Sequence, residues 1–190
     1  MGVNMKTFKR IFVWGTATIA IGFTGLYAAF VYEKLDDKPL SLISCIDVEA
    51  PWVAWTCKQV LRHASLTPEQ VRDLNAEGGA QYPVSMNDPK EAEELLALFL
   101  SRGVNINAGN RQGKGWTALH LAAISDPPAA VTLLLKYGAR TDVRDEDGRT
   151  PLDLARRSQS RYPNDPHIAE TIRLLEAAER KSMPPLLTTR

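Results

Sequence analysis

From residue 11 to residue 32 the chain carries no charge over 22 consecutive positions. At about 1.5 Å rise per residue, a helix of that length spans the ~30 Å hydrocarbon core of a bilayer. Trp14, Tyr27 and Tyr32 fall toward its ends, where amphipathic rings suit the membrane interface. A helix packed on a soluble core keeps a polar face. The pattern therefore predicts a single transmembrane anchor over residues 11–32, with 1–10 as a basic flank. A cleaved signal peptide is the rival reading. The run is long for one, and Leu26 or Tyr27 stands where a small residue is wanted before Ala28 or Ala29.

Beyond the run, apolar residues return at helical spacing. Residues 33–50 read as a juxtamembrane linker. Residues 51–66 read as a helical cap that starts at Pro51, with Trp52, Thr56 and Val60 on one stripe and Val53, Cys57 and Leu61 beside it. That helix is expected to place its tryptophans in a core, covering the open end of whatever follows. A second helix opens with Thr67, Pro68 and Gln70, the signature of a capping box, and stops at Gly78-Gly79. Residues 80–89 read as loop. The segment PKEAEELLALFLSRG is amphipathic, with Ala92, Leu95, Leu96, Phe99 and Leu100 on its buried face and Gly103 as its stop. In AAVTLLLKYGA the inward positions are Val131, Leu134 and Leu135, and Gly138 closes the helix.

Two later stretches nearly coincide at an offset of 33 residues. GWTALHLA begins at Gly115 and GRTPLDLA at Gly148, matching Thr117 with Thr150, Leu119 with Leu152, Leu121 with Leu154 and Ala122 with Ala155. One copy reads TALHLAA and then LLLKYGA, residues 117–123 and 133–139. The next reads TPLDLA at 150–155 and, after the insertion SQSRYPND, HIAETIRLLEAA at 167–178. An earlier partial copy ends LFLSRGVNINAGN. There Gly103-Val104-Asn105 aligns with Gly138-Ala139-Arg140, and the loop that follows is two residues longer.

This pattern resembles the ankyrin repeat, whose 33-residue unit is a turn, a T-P-L-H-x-A helix and a second helix ending LL-x-x-GA. The resemblance covers about residues 67–179, as three copies, and leaves 180–190 as a flexible tail. In the first copy the degenerate segment TPEQVRDL, residues 67–74, is the expected inner helix, followed by a large insertion before Asp88-Pro89. The whole chain is thus expected to be all-α: a transmembrane helix, a helical cap and a short ankyrin solenoid. One helical pair cannot bury its apolar face alone, so neighbours must cover it. In the family the histidine of the motif ties adjacent loops together, so His120, with Thr117 and Thr150, is expected to be structural. His167 reads as surface.

Charge narrows the partners. Lys6, Lys9 and Arg10 precede the apolar run with no acidic residue; the remainder holds 23 − 3 = 20 basic and 22 acidic residues. A net of −2 there is no electrostatic footprint for nucleic acid. The cations before the span place the N-terminus in the cytoplasm, so that 33–190 lie across the membrane, in the periplasm of a bacterial cell. Two cysteines, Cys45 and Cys57, fall on that oxidising side, where a disulfide between them is expected. Two thiols with His63 make a poor zinc set, and no nucleotide-loop, zinc-protease or hydrolase signature occurs. No cofactor and no catalytic residue are expected.

The ankyrin resemblance implies a binding module. It implies that residues at the turn tips and the ends of the inner helices line one concave side: Lys114, Trp116, Ile124 and Ser125 in one copy, and Glu146, Asp147, Arg149, Arg157 and Ser158 in the next. Trp116 is expected to project as an anchor; the alternative is that it folds over the loop GNRQGK. The partner is expected to be another protein, and the role that of an immunity protein neutralising a secreted toxic enzyme. A scaffold or accessory subunit of an envelope complex is the alternative, and an exported enzyme a distant one.

Overall fold

The structure is a computed structural model, and it describes Ile46 and residues 51–63, 65–125 and 127–182, without the side chains of Trp52 and Thr56. The anchor, the linker other than Ile46, Cys45 and the C-terminal tail beyond residue 182 lie outside the described residues. Among the described residues no helix is long and apolar enough to cross a membrane. The chain divides into two units, residues 1–63 and 64–190.

In the first unit, α1 spans Pro51–His63. Cys57 and Leu61 are buried, whereas Trp55 is 63% exposed. The expectation of tryptophans in a core is therefore wrong for Trp55. The buried stripe is the neighbouring one, because Cys57 and Leu61 repeat at four-residue spacing while Trp55 falls on the opposite side. Among the described residues there is no free cysteine, Cys57 being disulfide-bonded.

The second unit is all-helical among its described residues: α2 Pro68–Ala76, α3 Gln81–Val84, α4 Pro89–Ser101, α5 Ala118–Ser125, α6 Pro128–Lys136, α7 Pro151–Arg161 and α8 Pro166–Ser182. Thr67 opens α2 with the expected capping box: its hydroxyl accepts from the Gln70 amide and its own amide donates to the Gln70 side chain. Asp88 caps α4, and Thr150 caps α7 through a second capping box with Asp153.

The helices stack as three pairs, α3/α4, α5/α6 and α7/α8, with α5 lying between α3 and α7. The first pair corrects the sequence reading. Its inner helix is not TPEQVRDL but α3, QYPV, inside a stretch read as loop. Pro83 disguised it; in a helix this short the missing amide belongs to the first turn and no hydrogen bond is lost. Pro83 and Val84 are buried.

The α2 segment fills another place. Asn75 Oδ1 accepts from the Asn105 amide at 2.7 Å, as Asn107 Oδ1 accepts from the Arg140 amide at 2.8 Å one unit later. The C-terminal end of α2 thus stands in for the loop a preceding repeat would supply.

One core runs through the three pairs. It contains Val84, Leu96, Ile106, Leu119, Ala122, Val131, Leu134, Leu152, Ala155, Ile172 and Leu175. The expected buried face of α4 holds for Ala92, Leu95, Leu96 and Phe99, while Leu100 is only half-buried; Leu135 in α6 is half-buried too. Helices α4 and α6 end alike. The amides of Val104 and Ala139 reach back to the carbonyls of Phe99 and Leu134, with Gly103 at φ 91° and Gly138 at φ 86°. That reversal needs the left-handed region, which glycine enters without a Cβ penalty.

Candidate functional site

The two turns that precede α5 and α7 are built on one plan. The Asn110 amide donates to the Trp116 carbonyl, and the Asp145 amide donates to the Arg149 carbonyl. In each turn the first side chain caps the tip: Asn110 Oδ1 accepts from the Gln112 amide, and Asp145 Oδ1 from the amides of Asp147 and Arg149. Lys114 sits at φ 63°, a left-handed position unusual for a lysine, and presents its carbonyl to the Glu146 amide at 3.0 Å. Successive turns are therefore joined by backbone as well as by side chains.

Asp145 is the centre of this face, and sequence reasoning missed it. Its side chain is fully buried. Oδ2 accepts from the Trp116 indole at 3.0 Å and from the Arg149 Nε at 3.2 Å. Burial pushes its carboxyl up, but the Arg149 amide, the Trp116 indole and the Arg149 guanidinium hold it below the usual carboxylate range. Asp147, exposed at the tip, takes both the Lys114 ammonium and the Arg149 guanidinium.

Trp116 is not the free projection expected. It is half-buried, and its indole donates to Asp145 of the next turn. Lys114, Trp116, Glu146, Asp147 and Arg149 are brought together at the tips. Ile124, Ser125, Arg157 and Ser158 lie away from them, at the far ends of the inner helices; Ser125 and Arg157 are exposed, and Ile124 and Ser158 half-buried.

His120 is fully buried on α5. Nδ1 lies 3.2 Å from the Thr117 amide and 2.8 Å from the Thr117 hydroxyl, and Nε2 lies 3.1 Å from the Arg149 carbonyl. An amide must donate, so Nδ1 is the acceptor and Nε2 carries the proton toward Arg149. The imidazole thus ties one unit to the next.

Burial pushes the His120 pKa down, against the smaller upward effects of the Arg149 carbonyl and the Asp145 charge. A lowered value means the unfolded state protonates first. Stability is then full above the unfolded value of ~6.5 and falls as pH drops from there toward the folded value. Urea unfolding should show this loss setting in as pH drops below about 6.5, and His120→Gln, less stable throughout, should lose that part of the slope.

Among the described residues no group of three or more histidine, cysteine or acidic side chains could hold a metal ion. The family model for ankyrin repeats, in three copies, matches residues 85–175. Those residues are ankyrin repeats. The chain is 32% identical over 137 residues to the regulatory protein NPR3 of Arabidopsis thaliana, covering 72% of this chain and 21% of that protein. It is 33% identical over 100 residues to the BTB/POZ domain and ankyrin repeat-containing protein NPR1 of Malus hupehensis, covering 53% and 15%. A shorter match, 44% over 63 residues, covers 33% of the chain and 2% of the E3 ubiquitin-protein ligase Ufd4 of Drosophila melanogaster. The chain spans about a fifth or less of the length of these relatives. Ankyrin repeats are protein-interaction scaffolds.

Proposed function

We propose that the chain is a membrane-tethered ankyrin module that binds a partner protein, with the turn tips around Asp145 as its contact face. The observation that carries this reading is the rigid row of tips. Lys114, Trp116, Asp147 and Arg149 are held by one buried carboxylate and one interturn backbone bond. Preorganised side chains lose less freedom on association, so contacts made through them yield more affinity.

The apolar run 11–32 and its basic flank support an inner-membrane anchor with an N-terminus in the cytoplasm and the ankyrin stack in the periplasm. An oxidised Cys57 fits that compartment, with Cys45 as its proposed partner. A small tethered binder at that location suits an immunity protein, which neutralises a toxic enzyme arriving from outside.

The test starts from the full chain in native membranes. A reporter enzyme that works only in the periplasm, fused after Arg190, should be active, and the stack should co-purify with a secreted lipase, nuclease or peptidoglycan hydrolase. With that partner in hand, Trp116→Ala should weaken binding by about 2 kcal/mol, on the order of thirtyfold. Lys114→Ala, at an exposed position, should weaken it less and lose its effect at high salt. Full affinity in both variants would move the contact face away from the tips. A silent periplasmic reporter would remove the exported reading.

A further inference from the structure

We propose that α1 rests on the bilayer surface, with Trp55 at headgroup depth and Lys58 and Arg62 beside it on anionic phospholipid headgroups. This rests on the membrane-tethered reading above and adds a second, reversible contact to the anchor.

Large apolar side chains exposed singly are ordinary on a protein surface. Trp55 and Tyr162 are the two large exposed hydrophobics among the described residues. Tyr162 follows a helix of mixed charge in the ankyrin unit, where Asp153 accompanies the arginines. Trp55 has a different setting. Helix α1 carries Lys58 and Arg62 and no acidic residue, and no other described helix has two such cations without a carboxylate.

Burial assigns the faces of α1. At about 100° per residue, Pro51, Trp55 and Arg62 fall within about 40° of one another, and all three are exposed. Lys58 borders them and is half-buried. Cys57 and Leu61 lie on the other side and are buried. The helix therefore makes its apolar contact with the protein through one face and offers an indole flanked by cations on the other. An indole is apolar in its body and polar at its N–H, so the headgroup level suits it better than water or hydrocarbon. Lysine and arginine stems lie along the same boundary while their charges reach the phosphates. Tryptophan with cations and no carboxylate is also the composition of helices that lie in the interface plane. The core of a protein interface, by contrast, is depleted in charge and in lysine above all. One indole among charges favours the lipid surface as occupant.

Chain length puts that surface within reach. Helix α1 belongs to the same unit as the apolar run 11–32, and the 18 residues 33–50 separate the two. Fully extended, such a linker reaches about 60 Å. A helix held that close meets the bilayer at a high effective concentration, so a contact too weak to recruit a free protein is still populated.

The test uses the full chain reconstituted in vesicles of phosphatidylcholine, alone or with phosphatidylglycerol at roughly three to one, with plain or brominated acyl chains. Bromine quenches tryptophans that lie against the chains. The Trp55 signal is the fluorescence difference between the parent and Trp55→Phe, a substitution at an exposed position that leaves the fold intact. With phosphatidylglycerol present, bromination should remove about half of that signal or more. The Trp116 signal, obtained in the same way from Trp116→Phe, should be unaffected. Lys58→Gln with Arg62→Gln should reduce the quenching of Trp55 to its level in phosphatidylcholine alone, and molar salt should do the same to the parent. An unquenched Trp55 would overturn the proposal. Shielding of that unquenched Trp55 from acrylamide as protein concentration rises would give the face to a second copy, and shielding on addition of the partner would give it to the partner. Quenching that ignores phosphatidylglycerol would overturn the anionic assignment. Carbonate washing separates this proposal from the anchor. A chain that resists carbonate with Trp55 unquenched keeps the anchor and loses the contact; a chain stripped by carbonate after Trp55 was quenched loses the anchor and keeps the contact.

Discussion

Truncation of Leu134 to alanine is expected to destabilise the ankyrin stack by about 2–5 kcal/mol, a large part of the ~5–15 kcal/mol that holds a domain folded. Leu134 is fully buried in the core that runs through the three pairs, and its carbonyl accepts the Ala139 amide that ends α6. The loss has two parts: the transfer free energy of the removed carbons, and the cavity left between α6 and its neighbours. In a stack each unit contacts only those beside it, so a weakened middle pair also uncovers the outer two. Leu135, next in the chain but half-buried, provides the internal comparison. Its truncation should cost well under half as much, because part of its surface already faces water. Urea unfolding of the purified chain followed by circular dichroism measures both. Equal midpoints for the two variants would mean that α6 is rotated from the orientation described.

The features legible in the sequence were those in which a backbone requirement or a periodicity forces a residue type. The 33-residue offset and the inward leucines at 119, 134 and 152 follow from the repeat, and glycines 103, 138 and 148 stand where the chain enters positive φ. His120 could be placed because the repeat puts it against the following turn. The misses have a common cause. Helix α3 is four residues long and has too little periodicity to show, and Pro83 points away from a helix. Asp145 lies in the run VRDEDGR among other charged residues, and nothing local separates a buried carboxylate from the solvated Glu146 and Asp147 beside it. One clue was present. Its equivalent in the preceding turn is Asn110, an acceptor of the same shape, and a conserved geometry of turn caps would have pointed to both. Trp116 stood out by composition, but the direction of its ring was decided by Asp145, 29 residues away.

Removal of that carboxylate is the second large effect expected. Asp145→Ala should cost about 3–5 kcal/mol, the range for breaking a buried charge pair by deleting one partner. Four donors converge on the Asp145 side chain, from the Trp116 indole, the amides of Asp147 and Arg149, and the Arg149 guanidinium. Alanine leaves the half-buried indole and the two amides without this acceptor, while the Arg149 guanidinium keeps only Asp147, and an orphaned buried donor costs more than the bond it lost was worth. Asp145→Asn should fall between. Its remaining oxygen can serve the two amides, as Asn110 serves Gln112, but its NH2 would face the indole and the guanidinium, donor against donor. Trp116→Phe alone should cost about 1 kcal/mol, one net hydrogen bond. The double variant should cost less than the sum, because the indole no longer needs an acceptor once it is gone. Acidification gives an independent reading. The lowered Asp145 value means its contribution is intact above the unfolded carboxylate value of ~3.9 and is lost as pH falls through the folded value, well below the histidine window. Chemical unfolding of the parent and the four variants at neutral pH, repeated in acid, separates these terms. If Asp145→Ala unfolds within about 1 kcal/mol of the parent, the turn is held by its backbone bonds alone. The tip row would then not be preorganised, and the reason for choosing it as the contact face would fall with it.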